Sequence, residues 1–228
     1  MSASAVFAQE TEFTVEPVKY SFILPKMGTL PFDIKSFREN KTGCDITYIV
    51  SGKGIIHIDS KSIQIDAVVD ENGNDISTDG GKGKAWETEP FPKASSDGTC
   101  AKFSVFVATE NAMTRPTIKG SVKITTASET KTERLKFKTG GESEAQKAGA
   151  LDFSIDDGEN WLEVFMDGHN SLVPEIKLEA GGKEIKRVSY SYGHKGATYY
   201  FEKIDEPEFD LIVTHYVDAK ETEVVFGK

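Results

Sequence analysis

Two stretches of this chain carry the same wording, and that repetition limits the fold more than any other feature. Residues 120–138 (GSVKITTASETKTERLKFK) and 210–228 (DLIVTHYVDAKETEVVFGK) align at an offset of 89 positions. Val122 matches Leu211, Ile124 matches Val213, Lys131 matches Lys220, Leu135 matches Val224 and Phe137 matches Phe226. In each copy, apolar and polar residues alternate on both sides of a short polar turn, the period of a half-buried β-hairpin. Each copy also closes its half of the chain, which predicts two related β-modules in tandem.

The 228 residues are enough for one large or two small cores. No apolar run approaches the roughly 18 residues that a membrane helix needs. Helical periodicity is nearly absent; the one helix-compatible stretch is 142–150 (ESEAQKAGA), bounded by glycines. The expected fold is therefore all-β. About seven short strands per module, with turn signals every 8–12 residues, read as two tandem antiparallel β-sandwiches of immunoglobulin-like type. The signature tryptophan is missing after Cys44, and Gly98 stands where a tyrosine would precede Cys100 by two residues. The likeness is one of architecture, which implies no function.

The expected organisation is an N-terminal segment 1–27, a first domain 28–140, a small-residue linker 139–149 and a second domain 150–228. Residues 11–24 form an edge strand interrupted by Pro17. They would cover an edge of the first domain or, in a filament, complete a neighbour's sheet. A short strand follows at 32–37, and then one that begins at Cys44. Asn72-Gly73 between apolar runs marks a hairpin, which competes there with a calcium-loop reading of the acidic residues 70–75. The segments 63–67 and 176–180 correspond at an offset of 113, not 89. The first domain therefore holds about 24 extra residues, assigned to a strand-free loop at 78–98.

The net charge of −10 is uneven. Residues 141–228 hold 9 Lys and Arg against 19 Asp and Glu, while residues 1–140 hold 18 of each. An acidic second domain argues against a nucleic-acid backbone as partner. It allows a cation or a basic protein patch, or simply a solvated face. Residues 1–8, with Val6 and Ala8 at the −3 and −1 places, resemble the end of a secretory leader. In a secreted or periplasmic protein Cys44 and Cys100 are expected to form a disulfide, worth roughly 4 kcal/mol in the chain-entropy account.

Three places draw attention as sites. The 78–98 loop presents Trp86 and Phe91 among Lys82 and Lys84, a pattern suited to sugar stacking or a protein contact. Alternatively, Trp86 folds back to plug the end of its domain. Asp156, Asp157 and Glu159 gather enough carboxylate for calcium, or form a solvated turn. Tyr190 and Tyr192 share one strand face, where core packing is the expected fate and exposure would make them a binding site. His57, His169, His194 and His215 show no metal spacing, and His215 is expected at the rim of its sheet. No G-x-S-x-G, H-E-x-x-H or C-x-x-C motif occurs. The expectation is a non-enzymatic exported protein that engages protein partners through its loops. A carbohydrate-binding or calcium-dependent accessory module is the alternative, and a filament subunit the third reading.

Overall fold

The computed structural model describes residues 13–24, 42–78, 83–89, 92–109, 114–140, 143–193 and 196–227. The expected strand at 32–37 and the leader-like start lie outside these residues. The chain is all-β and antiparallel and forms two compact units, one of Met1–Thr126 with Glu221–Lys228 and the other of Ala127–Lys220. Among the described residues, eight strands of the first unit precede the crossing: β1 (Thr14–Ile23), β2 (Gly43–Ser51), β3 (Ile55–Ile58), β4 (Gln64–Val69), β5 (Trp86–Thr88), β6 (Lys93–Ala94), β7 (Cys100–Ala108) and β8 (Thr117–Thr126). The second unit adds β9 (Thr130–Lys138), β10 (Gln146–Ala148), β11 (Leu151–Asp157), β12 (Leu162–Asp167) and β13 (Glu175–Ala180). It continues with β14 (Lys183–Ile185), β15 (Arg187–Tyr192), β16 (Gly196–Phe201) and β17 (Glu208–Tyr216), and β18 (Lys220–Phe226) then returns to the first unit.

The repeated stretches form the expected strands but not hairpins. β8 pairs with β18, and β9 pairs with β17. The two copies thus exchange halves: each unit takes the first strand of one copy and the second strand of the other. Contacts within the first unit run in opposite senses along the pair, Ser121 Oγ donating to Glu223 Oε1 at 2.7 Å and Lys123 facing Glu221 at 3.8 Å. In the second unit the register runs from Glu208 opposite Lys138 to Tyr216 opposite Thr130.

The cause lies in the turns. A tight two-residue hairpin turn needs positive φ, which glycine, asparagine or aspartate supplies. Ala127-Ser128-Glu129 holds none of these, Val217-Asp218-Ala219 holds only Asp218, and among the described residues no non-glycine adopts positive φ. The chain therefore runs on instead of folding back. Asp218 fixes the crossing: its carboxylate accepts from the Ser128 and Glu129 amides at 3.0 Å and from Ser128 Oγ at 2.7 Å, while the Val217 amide donates to the Glu129 carbonyl.

In the first unit one sheet has the order β1-β2-β7-β5, with β6 also on β7. The other has the order β18-β8-β3, with β4 also on β8. Their facing sides make one sandwich-like core, in which Phe226 from the chain's end packs 5.1 Å from Tyr48 and 5.3 Å from Phe103 between ring centroids. In the second unit the sheets β10-β11-β12-β16-β15 and β14-β13-β17-β9 enclose the other core, with Phe137 stacked 5.9 Å from Phe209. Gly120 holds the place of Phe209 in the first unit, where a Cβ would strike the Gln64 carbonyl at 2.1 Å.

Several expectations change. The division falls at 126/127 and 220/221, not in the segment 139–149. Part of that segment is the strand β10, which also replaces the helix-compatible reading of 142–150. The 78–98 stretch is not strand-free, because Trp86-Glu-Thr and Lys93-Ala pair with β7 as β5 and β6. The bulky and β-branched residues of Trp86–Thr88 overcome the surrounding glycines and prolines. β1 is an edge strand as expected, and its register shifts between Pro17 and Lys19. Asn72-Gly73 turns the chain: the Ile76 amide donates to the Val68 carbonyl, and Asp70 accepts from the Asn72 and Asn74 amides.

The expected disulfide is absent, and both thiols are free. Cys44 lies opposite Val107 and Cys100 opposite Ser51, at opposite ends of the β2–β7 ladder. Seven residue steps put them about 24 Å apart, whereas a disulfide needs Cα atoms within about 7 Å.

Two measurements test this arrangement. Phe226→Ala should lower the stability of the first unit by about 3–5 kcal/mol, read through Trp86 fluorescence, and Phe137→Ala should act on the second, read through Trp161. Closed hairpins would give the reverse assignment. Hydrogen bonds from Ser128 Oγ, then from the Glu129 and Ser128 amides, hold the Asp218 carboxyl below its ordinary range. Its contribution is therefore present above the unfolded carboxyl pKa of about 3.9 and is lost as pH falls through the lower folded value. Asp218→Asn should melt below wild type at pH 6, and the gap should close toward pH 3.

Candidate functional site

The sheet β10-β11-β12-β16-β15 of the second unit has one side in the core and one in solvent. Leu162, Val164 and Met166 of β12, and Ala197, Tyr199 and Phe201 of β16, point inward. Their neighbours point out, so that Ser154, Phe165, Thr198 and Ser191 form one row across the sheet. A second row brings Lys147, Asp152, Asp167 and Gly196 together. Between the rows and the β15–β16 turn lies a groove of about 480 Å³ lined by Phe165, Thr198, Ser191, Asp152, Asp167 and Tyr192 among others. Gly196 is required there, since a Cβ would meet the Met166 carbonyl at 2.1 Å.

β15 ends the sheet, and all six of its residues are exposed. Tyr190 lies opposite Tyr199, and so on the core-facing side, but at this edge the covering sheet no longer reaches it. Tyr190 and Tyr192 are 55% and 64% exposed and stack on each other at 6.0 Å and 17°. The core packing expected for them is therefore overturned. The Arg187 guanidinium rests over the Tyr190 and Tyr199 rings at 5.6 and 5.9 Å from their centroids. Burial pushes the Tyr199 phenol up from its ordinary pKa.

The other expected sites are not brought together. Trp86 is half-buried against the first unit's core and carries Lys84 Nζ 4.3 Å above its ring, so it plugs its unit instead of standing free. Lys82 and Phe91 lie outside the described residues. Asp156 and Asp157 are successive strand residues whose side chains point to opposite faces, and Glu159 lies in the exposed turn beyond them. Asp157 accepts from Lys203 Nζ at 2.6 Å and from the Gly140 amide. The Lys203 bond first, then that amide, holds its carboxyl low. Among the described residues no three His, Cys, Asp or Glu side chains form a metal-binding group.

Two histidines, His169 and His215, serve local structure. His169 Nδ1 lies 2.8 Å from Ser171 Oγ and caps the 3₁₀ turn Asn170–Leu172. His215 is buried, not at a rim, with Nε2 3.5 Å from Glu133 Oε1 and its ring against Gly149. Arg187 and Phe165 escaped the sequence reading. The alternation of RVSYSY shows which residues share a face, and nothing in it shows where the covering sheet stops. Comparison with protein-family models, with curated proteins and with solved structures finds no match.

Proposed function

We propose that this is a non-enzymatic binding protein of two immunoglobulin-like sandwich units, which holds a macromolecular partner at the β15 edge of its second unit. The observation that carries this is the Tyr190–Tyr192 stack, two aromatic side chains more than half exposed on an end strand. Tyrosine gives large apolar contact area with only two side-chain torsions to freeze and a polar tip to direct, which is why it concentrates at interfaces. Exposed aromatic area of this kind marks an interaction surface more often than a stability device. Export rests on the leader-like residues 1–8 alone, since the cysteines lend it no support.

The carbohydrate reading has one observation in its favour. Phe165 is an aromatic platform flanked by the hydroxyl residues Ser154, Thr198 and Ser191 in a groove open to solvent. The filament reading is weaker, because β1 is already paired with β2 of its own unit.

The test is capture of partners by immobilised chain from the native exterior, quantified for wild type, Tyr190→Ala/Tyr192→Ala and Phe165→Ala. The tyrosine pair should lose at least about tenfold in recovery, the loss of one or more contact hot spots. Its melting temperature should stay within about 2 °C, as for other exposed substitutions. Equal recovery by the tyrosine variant would remove the proposed surface, and loss confined to Phe165→Ala would move the site to the groove.

A further inference from the structure

The chemistry of the partner can be read from the same edge, and this inference rests on the binding role just proposed. β15 pairs only with β16 among the described residues, so its other edge is open. At the turn the Gly193 amide donates to the Gly196 carbonyl. An antiparallel ladder alternates hydrogen-bonded and non-hydrogen-bonded pairs. Counting from that turn, Ser191 and Ser189 bond inward to β16, and the amides and carbonyls of Tyr190 and Tyr192 point out of the sheet. The residues that offer free aromatic rings therefore also offer free backbone groups, spaced as a two-residue strand repeat.

Edge strands left in this state are templates for another strand unless charge, proline or a bulge blocks them. A register shift occurs at the far end, between Arg187 and Ser189, but Ser189–Tyr192 contains no proline and no charge. Along residues 183–187 basic side chains outnumber acidic ones three to one. Arg187 holds no carboxylate within 4 Å among the described residues, whereas Arg134 holds Glu179 at 2.9 Å and Asp210 at 2.8 Å. Lys183 and Lys186 flank it against Glu184, with Lys186 3.9 Å from Glu202. The surrounding unit is acidic, residues 127–220 holding 12 Lys and Arg against 19 Asp and Glu.

We propose that the β15 edge takes an extended acidic polypeptide segment as an added strand. Its backbone pairs with the outward groups of Tyr190 and Tyr192. On the face it shares with the rings it places one carboxylate at the Arg187 guanidinium and an apolar or aromatic residue on the tyrosine stack. Its other face passes Ser189 and Ser191 and carries small or hydroxylated residues. An acidic glycan would match Arg187 and the rings but would leave the strand-spaced amides and carbonyls unmatched, so the polypeptide is favoured.

Three fluorescent probes test this with the full chain. One is a hexapeptide in which threonines alternate with one glutamate and two phenylalanines. The second is its twin with lysine for glutamate, and the third is a sulfated hexasaccharide. By anisotropy at 50 mM salt the acidic peptide should bind at least about tenfold tighter than its lysine twin. Arg187→Gln should erase most of that preference with an unchanged melting curve, and 500 mM salt should weaken it. Hydrogen exchange should slow at the Tyr190 and Tyr192 amides on binding. Equal affinity for the two peptides, or binding without slowed amides, would overturn the proposal. Tyrosine-dependent binding of the saccharide instead would overturn it while leaving the binding role of the edge intact. If no probe binds in a tyrosine-dependent way and the capture experiment also fails, both fall.

Discussion

The exchange of strands between the two copies of one sequence segment is the constraint on which the rest of this structure depends. Val122 and Ile124 of the first copy share a core with Val224 and Phe226 of the second. Leu135 and Phe137 of the first share the other core with Leu211 and Val213 of the second. Burial is matched position by position, Leu135 and Val224 both at 7% and Phe137 and Phe226 at 3% and 2%. Hairpins and exchanged strands bury the same faces of the same residues. What separates them is the three-residue connection, which holds no glycine and no residue of positive φ, and in which Asp218 gathers hydrogen bonds from three donors of the other connection.

This topology has a kinetic consequence. The first unit cannot complete its second sheet until β18, the last strand of the chain, is available. Its pairing with β8 spans about a hundred residues (Ser121 to Glu223). Loop-closure entropy rises only slowly with length, so the equilibrium cost is modest. Rates are more sensitive, because long-range pairings must form before they are rewarded. The second unit, whose described strands β9–β17 are contiguous in sequence, carries no such burden and is the natural first folder.

The strands were legible because their period is local. Alternation located β2, β8, β9, β11, β17 and β18, and Pro17 marked β1 as an edge. Features set by tertiary context were not legible. The alternation in 120–138 says nothing about which strand lies alongside, and so it reads as a hairpin. Two cysteines in one domain invite pairing, yet their places seven residues apart along one ladder forbid it. Trp86, in a stretch full of glycine, was drawn into β5 by pairing with Val107, an influence from outside its own window. The tyrosines of β15 were misjudged for the same reason. Their shared face was correctly read, but exposure depends on how far the opposite sheet extends.

Five other strands at sheet edges show what the β15 edge lacks. β1 carries Pro17, which has no amide to offer, together with Glu16 and Lys19 in a register broken at the proline. β5 and β6 are three and two residues long, too short to template another strand, and β6 begins on a lysine. β14 is three residues long and has two charged members, Lys183 and Glu184. β10 is likewise three residues long and centres on Lys147, which faces Asp152 at 3.6 Å. Each of these edges has one of the devices that keep sheets from pairing with strangers. Beyond its bulged start, β15 has none of them over Ser189–Tyr192, and it adds two exposed aromatic rings where a protected edge would place lysine or proline. An unguarded edge that carries exposed aromatic rings is a liability, and its retention beside the guarded edges of β1, β5, β6, β10 and β14 is what the added strand proposed above accounts for.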